Sequence, residues 1–289
     1  MTKILITGAT GNVGTEVIKA LQNINNQLDI YAGVRNLNES RCKLSTYKVK
    51  ITAFDFTNSK TYNTAINKCE ILFLLRPPQI SKVEKYFRPI IEGCKENGVK
   101  HIVFLSVQGV EKSKLIPHYK IEKLIIDSKI PYTFLRPAYF MQNFNTTLHN
   151  DLVKKNRIYL PAGKAKFTLI DVRDIGAVAA TVLTNISQHI NKTYELTCKE
   201  KLTFLEMAKI LTDNLGKDIQ YVSPTLIRFF LTKRTEKTPI MFILVMIMLH
   251  YLPRFQQEPK ITNWVAKIIN REPITFEQFV KDNKKQLTE

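Results

Sequence analysis

Through the first half of the chain, apolar residues come in short, nearly continuous runs bounded by turn residues. The segments 3–7 (KILIT), 30–34 (IYAGV), 49–54 (VKITAF), 71–75 (ILFLL), 101–106 (HIVFLS) and 132–136 (YTFLR) read as strands. Because they are apolar throughout rather than alternating, they should be buried on both faces, as strands of a parallel sheet are. Between them the period changes to that of helices, most clearly over 13–21 and 83–97. Strand and helix in repeated alternation predict an α/β fold with a doubly wound parallel sheet.

After Phe144 the pattern loosens. FTLIDVRDIGAVAATVL predicts a strand and then a helix starting near Asp171, whose carboxylate caps free amides, with Asp174 in the first turn. Capping accounts for both aspartates without chemistry. Residues 203–214 form another capped amphipathic pattern, and helix is expected for most of the remainder up to PITFEQFVKDN. The run 239–253, PIMFILVMIMLHYLP, is shorter than the ~20 residues of a spanning helix. It is expected to be a helix buried in a C-terminal lobe, with a membrane-touching helix as the less favoured alternative, and no transmembrane segment is predicted.

Composition narrows the class. With 44% hydrophobic residues the 289-residue chain can bury a sizeable core. Cys42, Cys69, Cys94 and Cys198 are scattered, without metal-ligand spacing, and the first apolar run leads straight into a glycine turn rather than a signal-peptide pattern. A metal-free cytoplasmic protein is expected. The net charge of +18 is spread along the chain, with no basic block and no aromatic stacking motif, so it reads as a solvated surface rather than a nucleic-acid site.

The chemistry begins at ITGATGNVGTEVIKAL, where Gly8, Gly11 and Gly14 lie between the first strand and the first helix. Glycines there permit a tight turn, let backbone amides approach a pyrophosphate, and bring helix and strand together. The helix N-terminus adds unsatisfied N–H groups and a partial positive charge. The second strand ends in AGVRN, with Arg35 where an NAD-specific site commonly carries an acid. An arginine there suits a 2′-phosphate, so NADP(H) is expected in preference to NAD(H).

TGATGNVG, AGVRN, FLSVQGVEKSKLIPHYKIEKLI, YTFLRPAYFMQNF, LIDVRDIGAVAA and REPITFEQFVKDN together resemble the NmrA-like branch of the atypical short-chain dehydrogenase/reductase superfamily, over essentially the whole chain. The resemblance implies a Rossmann-type doubly wound sheet with a small, mostly helical C-terminal lobe and the substrate cleft between them. The cofactor-binding core would occupy 1–150, with the remaining core elements and the substrate lobe in 151–289, packed as one unit. It also implies that Thr10, Asn12 and Val13 join the glycines around the pyrophosphate and that Arg35 meets the 2′-phosphate. Asp55 and Phe56 would lie near the adenine, and Leu74, Leu75 and Arg76 along the ribose. Ser106 and Val107 would lie near the nicotinamide, with Pro137, Ala138, Tyr139, Phe140 and Asn143 along the cleft wall.

Tyr119 and Lys123 have the Y-x-x-x-K spacing of a proton-relay pair, and at i and i+4 they share a helix face. The register of the similar families argues otherwise. Their helix carries a glutamate matching Glu122, and the conventional lysine falls four residues earlier, where this chain has His118. An imidazole there could donate a proton, or simply pack at the helix start; Lys120 points elsewhere. With so little acid apparatus, the expected reaction is hydride transfer from NADPH to a quinone-like, azo or other conjugated acceptor. The alternative is a non-catalytic NADP(H) sensor acting through a protein partner.

Overall fold

The computed structural model describes residues 2–24 and 28–289. The chain forms two compact units, the first made of Met1–Pro137, Val172–Leu196 and Trp264–Glu272, the second of Ala138–Asp171, Thr197–Asn263 and Pro273–Glu289. The division expected after residue 150 falls within the second unit's segment Ala138–Asp171, and the chain returns to the first unit twice.

The first unit is built on β1 (Thr2–Thr7), β2 (Leu28–Val34), β3 (Lys50–Ala53), β4 (Ile71–Leu75), β5 (His101–Leu105), β6 (Tyr132–Pro137) and the strand Lys192–Leu196. These seven strands are parallel and lie in the order Lys192–Leu196, β6, β5, β4, β1, β2, β3. The order reverses at β1, which has β2 on one side and β4 on the other. In a sheet of this kind that switch point opens a crevice at the carboxyl ends of the strands. The six strands expected in the first half of the chain are all present, within a residue or two at their ends.

Crossovers are made by α1 (Asn12–Asn23), α2 (Leu37–Lys43), α3 (Tyr62–Ile66), α4 (Val83–Glu96) and α5 (Pro117–Ser128). One core layer gathers Leu72, Leu74, Phe87, Ile102, Phe104, Ile121 and Phe134. Elsewhere in the unit, α1 packs against the helix Val172–Thr184 so closely that a Cβ on Gly176 would lie 2.7 Å from the Glu16 carbonyl.

In the second unit, a three-stranded sheet of Tyr139–Phe140, Lys166–Ile170 and Lys201–Thr203 and a two-stranded pair, Arg157–Tyr159 with Gln220–Val222, accompany several helices. Phe144, Phe204, Phe229, Phe276 and Phe279 centre its core. Helix Phe204–Leu215 opens with a capping box in which Thr203 and Glu206 satisfy each other's backbone amides, as its sequence implies.

One expectation is overturned here. The apolar run forms helix Ile240–Tyr251, yet only Ile243, Met246 and His250 are buried. Those residues follow i, i+3, i+7, a single stripe, and that stripe meets the core together with the half-buried Ile247 beside it. Met241, Phe242, Leu244, Val245, Met248 and Leu249 are exposed.

Candidate cofactor site

The turn after β1 is shaped by its glycines. Gly8 has φ +61°, and Gly11 N–H donates to the Gly8 carbonyl at 3.0 Å. A Cβ on Gly14 would lie 2.3 Å from the Gly8 carbonyl oxygen and 2.8 Å from Ala9 Cα, so helix and turn approach as only glycine permits. A Cβ on Gly8 would come within 2.8 Å of the Leu75 side chain, placing the end of β4 directly against the turn. Gly11 is the N-cap of α1 without a side-chain cap, the first turn holds no acid, and Thr10, Gly11 and Asn12 are exposed while Val13 is buried. This is a cradle of backbone amides at a positive helix end, and it fits a pyrophosphate.

Arg35 is exposed immediately beyond β2, and Asn36 caps α2 by accepting from Glu39 N–H at 3.3 Å. Asp55 is half-buried, and its Oδ1 accepts from both the amide and the hydroxyl of Thr57 at 2.8 Å, an Asx turn that shapes the loop after β3. Phe56 is turned inward, against Phe54 and Phe87, and its carbonyl accepts from Tyr62 OH at 2.7 Å. Any cofactor contact at Phe56 therefore falls to its backbone. Leu74 is fully buried in the sheet core.

Arg76, just past β4, is held by three carbonyls: its NH1 donates to Pro77, Pro78 and Ile80 at 3.1, 3.0 and 2.8 Å. Its Nε donates to His118 Nε2 at 3.3 Å. A guanidinium only donates, so His118 Nε2 is an acceptor and the ring proton sits on Nδ1. Burial, reinforced by the Arg76 charge, pushes the His118 pKa down to about 3. The imidazole is thus a neutral N–H donor rather than an acid. Ser106, at the end of β5, is buried, and its Oγ has no hydrogen-bond partner among the described residues. A bound group would satisfy such an orphan. Val107 follows it, half-buried.

The structure does not join Tyr119 and Lys123 into a relay. Lys123 is exposed and its Nζ is bonded to Asp127 at 2.9 and 3.2 Å, one turn further along α5, and this carboxylate raises its pKa. Tyr119 is half-buried at the start of the helix. Glu122 is buried, and it accepts from Arg136 Nε at 3.0 Å and NH2 at 2.7 Å, tying α5 to β6. In the sequence Glu122 serves only as a register mark, and its pairing with Arg136 is hidden; the sole sign is the one charged residue in strand β6.

Pro137 ends β6, and Ala138 opens the second unit. Tyr139 packs edge-on against Phe167, Phe204 and His250. His250 Nδ1 is 2.6 Å from the Met246 carbonyl, which fixes its proton there, so Tyr139 OH donates to His250 Nε2 at 3.2 Å. Burial raises the Tyr139 pKa, and it lowers that of His250 to about 4. Tyr139 is accordingly a structural hydroxyl within its unit. Phe140 is half-buried and pairs with Ile170, and Asn143, also half-buried, follows in a short helical turn.

A parallel sheet whose strand order reverses beside an uncapped glycine turn defines a Rossmann-type dinucleotide-binding protein. The chain belongs to the NmrA-like family, whose family model matches residues 1–248. Among curated proteins it is 31% identical over 287 residues to the prestalk A differentiation protein A of Dictyostelium discoideum, covering 96% of this chain and 91% of that protein. It is 28% identical to the NAD(P)H azoreductase of Xenophilus azovorans, covering 96% of each. Among solved structures, the Citrobacter sp. triphenylmethane reductase complexed with NADP(H) superposes with a TM-score of 0.84 at 25% identity, covering 96% of this chain and 99% of that one. Among the described residues, no helix is long and apolar enough to cross a membrane.

Proposed function

We propose that the protein is an NADPH-dependent reductase delivering hydride to a quinone-like, azo or other conjugated small-molecule acceptor. The observation that carries this reading is the amide cradle at the start of α1, with Arg35 exposed at the end of the neighbouring strand and no acid in its place. When bound, the cofactor supplies the hydride. Gly8, Thr10, Gly11, Asn12, Val13 and Gly14 would hold its pyrophosphate and Arg35 its 2′-phosphate. The Asp55 and Phe56 loop would meet the adenine, Leu75 and Arg76 the ribose, with the buried Leu74 supporting them from the sheet core, and Ser106, Val107, Pro137, Phe140 and the ring rather than the hydroxyl of Tyr139 the nicotinamide end. Ala138 and Asn143 are proposed as acceptor contacts.

The state of His118 selects the acceptor class. Reduction of an isolated ketone develops an alkoxide that needs a positioned acid. A neutral His118, and a Lys123 already paired with Asp127, offer no such acid. A conjugated acceptor delocalises the developing charge and takes its proton from water, so binding and orientation supply most of the acceleration. The dye-reducing relatives support this choice of acceptor. The four free cysteines, three of them buried, are in keeping with a reducing cytoplasm.

The test is NADPH oxidation by the purified protein against a panel of quinones and azo dyes, with NADH and a Gly11→Asp variant as controls. Aspartate at this N-cap stabilises the helix while repelling a pyrophosphate, so lost activity in a folded variant assigns the site. Tight NADPH binding without turnover would instead support the sensor reading, in which the incomplete acid pair is no defect and the search moves to a protein partner.

A further inference from the structure

The second unit presents an apolar face that its own core leaves uncovered. On helix Ile240–Tyr251, Met241, Val245 and Met248 are 72%, 39% and 42% exposed, on the side opposite the buried stripe; Phe242, Leu244 and Leu249 flank them. Helix Leu226–Thr235, which packs beside it, adds Ile227 and Leu231, and the following turn adds Leu252 and Phe255. So many large apolar side chains on adjoining helices exceed the scattered exposure of an ordinary surface.

The charges around this face have one sign. Between 226 and 260 there are six lysines and arginines against two glutamates. Arg228, Arg234, Lys237, Arg254 and Lys260 are exposed. Both glutamates are already neutralised, Glu236 by Lys155 and Lys233, and Glu258 by Lys201. A second copy of the chain would bring the same cations, and the same +18, against themselves. An anionic partner is favoured, and one that also accepts exposed methionine, leucine and phenylalanine side chains without a matching shape is a lipid interface. At 12 residues the helix is about 18 Å long, too short to cross a hydrocarbon core of about 30 Å, but able to lie along its boundary.

We propose that helices Leu226–Thr235 and Ile240–Tyr251 dock the protein on the surface of an anionic bilayer, their apolar side chains entering the headgroup boundary and the surrounding arginines and lysines meeting lipid phosphates. Vesicle binding requires no turnover, so the test is independent of the reductase reading. The full chain is floated with vesicles of phosphatidylcholine alone and of phosphatidylcholine with phosphatidylglycerol, at low and high salt. Expected is flotation with the anionic vesicles only, reduced by salt, and lost by at least about tenfold in both Val245→Asp/Met248→Asp and Arg228→Glu/Lys237→Glu. These positions are exposed, and an unchanged thermal melt checks that each variant is folded. No flotation with anionic vesicles overturns the proposal, as does flotation undiminished in Val245→Asp/Met248→Asp, which would make the overall charge sufficient. Concentration-dependent self-association abolished by the same apolar substitutions, without vesicle binding, would assign the face to a second copy instead.

Discussion

Acidification should destabilise this protein through His118 in a window where carboxylates do not yet titrate. The folded imidazole is pushed down to about 3, first by burial and then by the Arg76 guanidinium. In the unfolded chain a histidine titrates near ~6.5. Above that value both states are neutral and His118 contributes no pH dependence; below it the unfolded state takes up a proton that the folded state refuses, so stability is lost as pH falls. At about pH 5 the loss attributable to this residue is about 2 kcal/mol. Because the folded value lies well below that pH, the figure is set almost entirely by the unfolded histidine. Glutamine at this position keeps an acceptor for Arg76 and cannot titrate.

The assay is urea unfolding of the parent and of His118→Gln at about pH 7 and about pH 5, comparing the change in free energy across that interval. The variant should lose about 2 kcal/mol less than the parent. His101 and His250, each lowered to about 4 by burial, titrate in both proteins and cancel in the comparison. Equal losses in the two proteins would refute the reasoning, and so would a folded-state ionisation of His118 near ~6.5 by NMR. The same neutrality predicts that turnover of a naphthoquinone shows no His118-dependent limb between about pH 5 and about pH 8.

Gly14→Ala puts a methyl carbon 2.3 Å from a backbone oxygen that has no rotamer in which to yield. Overpacking of this kind costs about 1–3 kcal/mol, and fluorescence titration should show NADPH affinity falling by about tenfold to a hundredfold. Arg35→Ala should weaken NADPH by a similar factor, since a charge-assisted contact is worth about 1.5–3 kcal/mol, and leave NADH unchanged in the same titration. In the second unit, Asp151 is buried and binds Arg157 and Lys233; burial opposes its charge, but the two cations prevail and hold the carboxyl below its ordinary value. Asp151→Asn should cost about 3 kcal/mol in urea unfolding at neutral pH, because Lys233 stays buried with Glu236 as its one remaining carboxylate among the described residues, and the penalty should shrink only below about pH 4, where the unfolded parent's aspartate takes up a proton that the folded carboxylate still refuses.

What the sequence made legible was local. The glycine turn could be read because strand, turn and helix are contiguous in the chain, and the six strands because burial on both faces leaves no polar position to confuse the period. The inward turn of Phe56, expected near the adenine, was not readable, because it lies past the end of β3, where strand alternation no longer assigns a face; its ring packs against Phe54 and Phe87. The long-range pairings were not readable. Arg136 with Glu122, Arg76 with His118 and Tyr139 with His250 join residues 14, 42 and 111 positions apart, and nothing in either partner's neighbourhood names the other. The exposed helix defeated sequence reading for a different reason. Its residues are apolar on every side, so the pattern specifies no buried face, and only the tertiary structure shows how little of it is covered.

In the proposed reaction, one pairing hidden from the sequence, Arg76 with His118, sets the proton chemistry. Spacing alone offers three titratable groups at the start of α5 and suggests an acid. Contacts remove two of the roles: Asp127 takes the charge of Lys123, and Arg76 occupies the His118 nitrogen through which an imidazolium would form. Arg76 is fixed in turn by three backbone carbonyls, so the imidazole cannot readily escape its neighbour by a small rotation of the arginine. What is left at His118 is a neutral N–H, a donor that can align a polar group without surrendering its proton. An acceptor that requires protonation in the same step as hydride arrival would be reduced slowly on such a framework, whereas one whose reduced anion is already stabilised by conjugation would not. The proposed preference for a quinone or dye over a ketone therefore rests on how the arginine beyond β4 constrains a histidine 42 residues later, not on the tyrosine and lysine motif that first draws the eye.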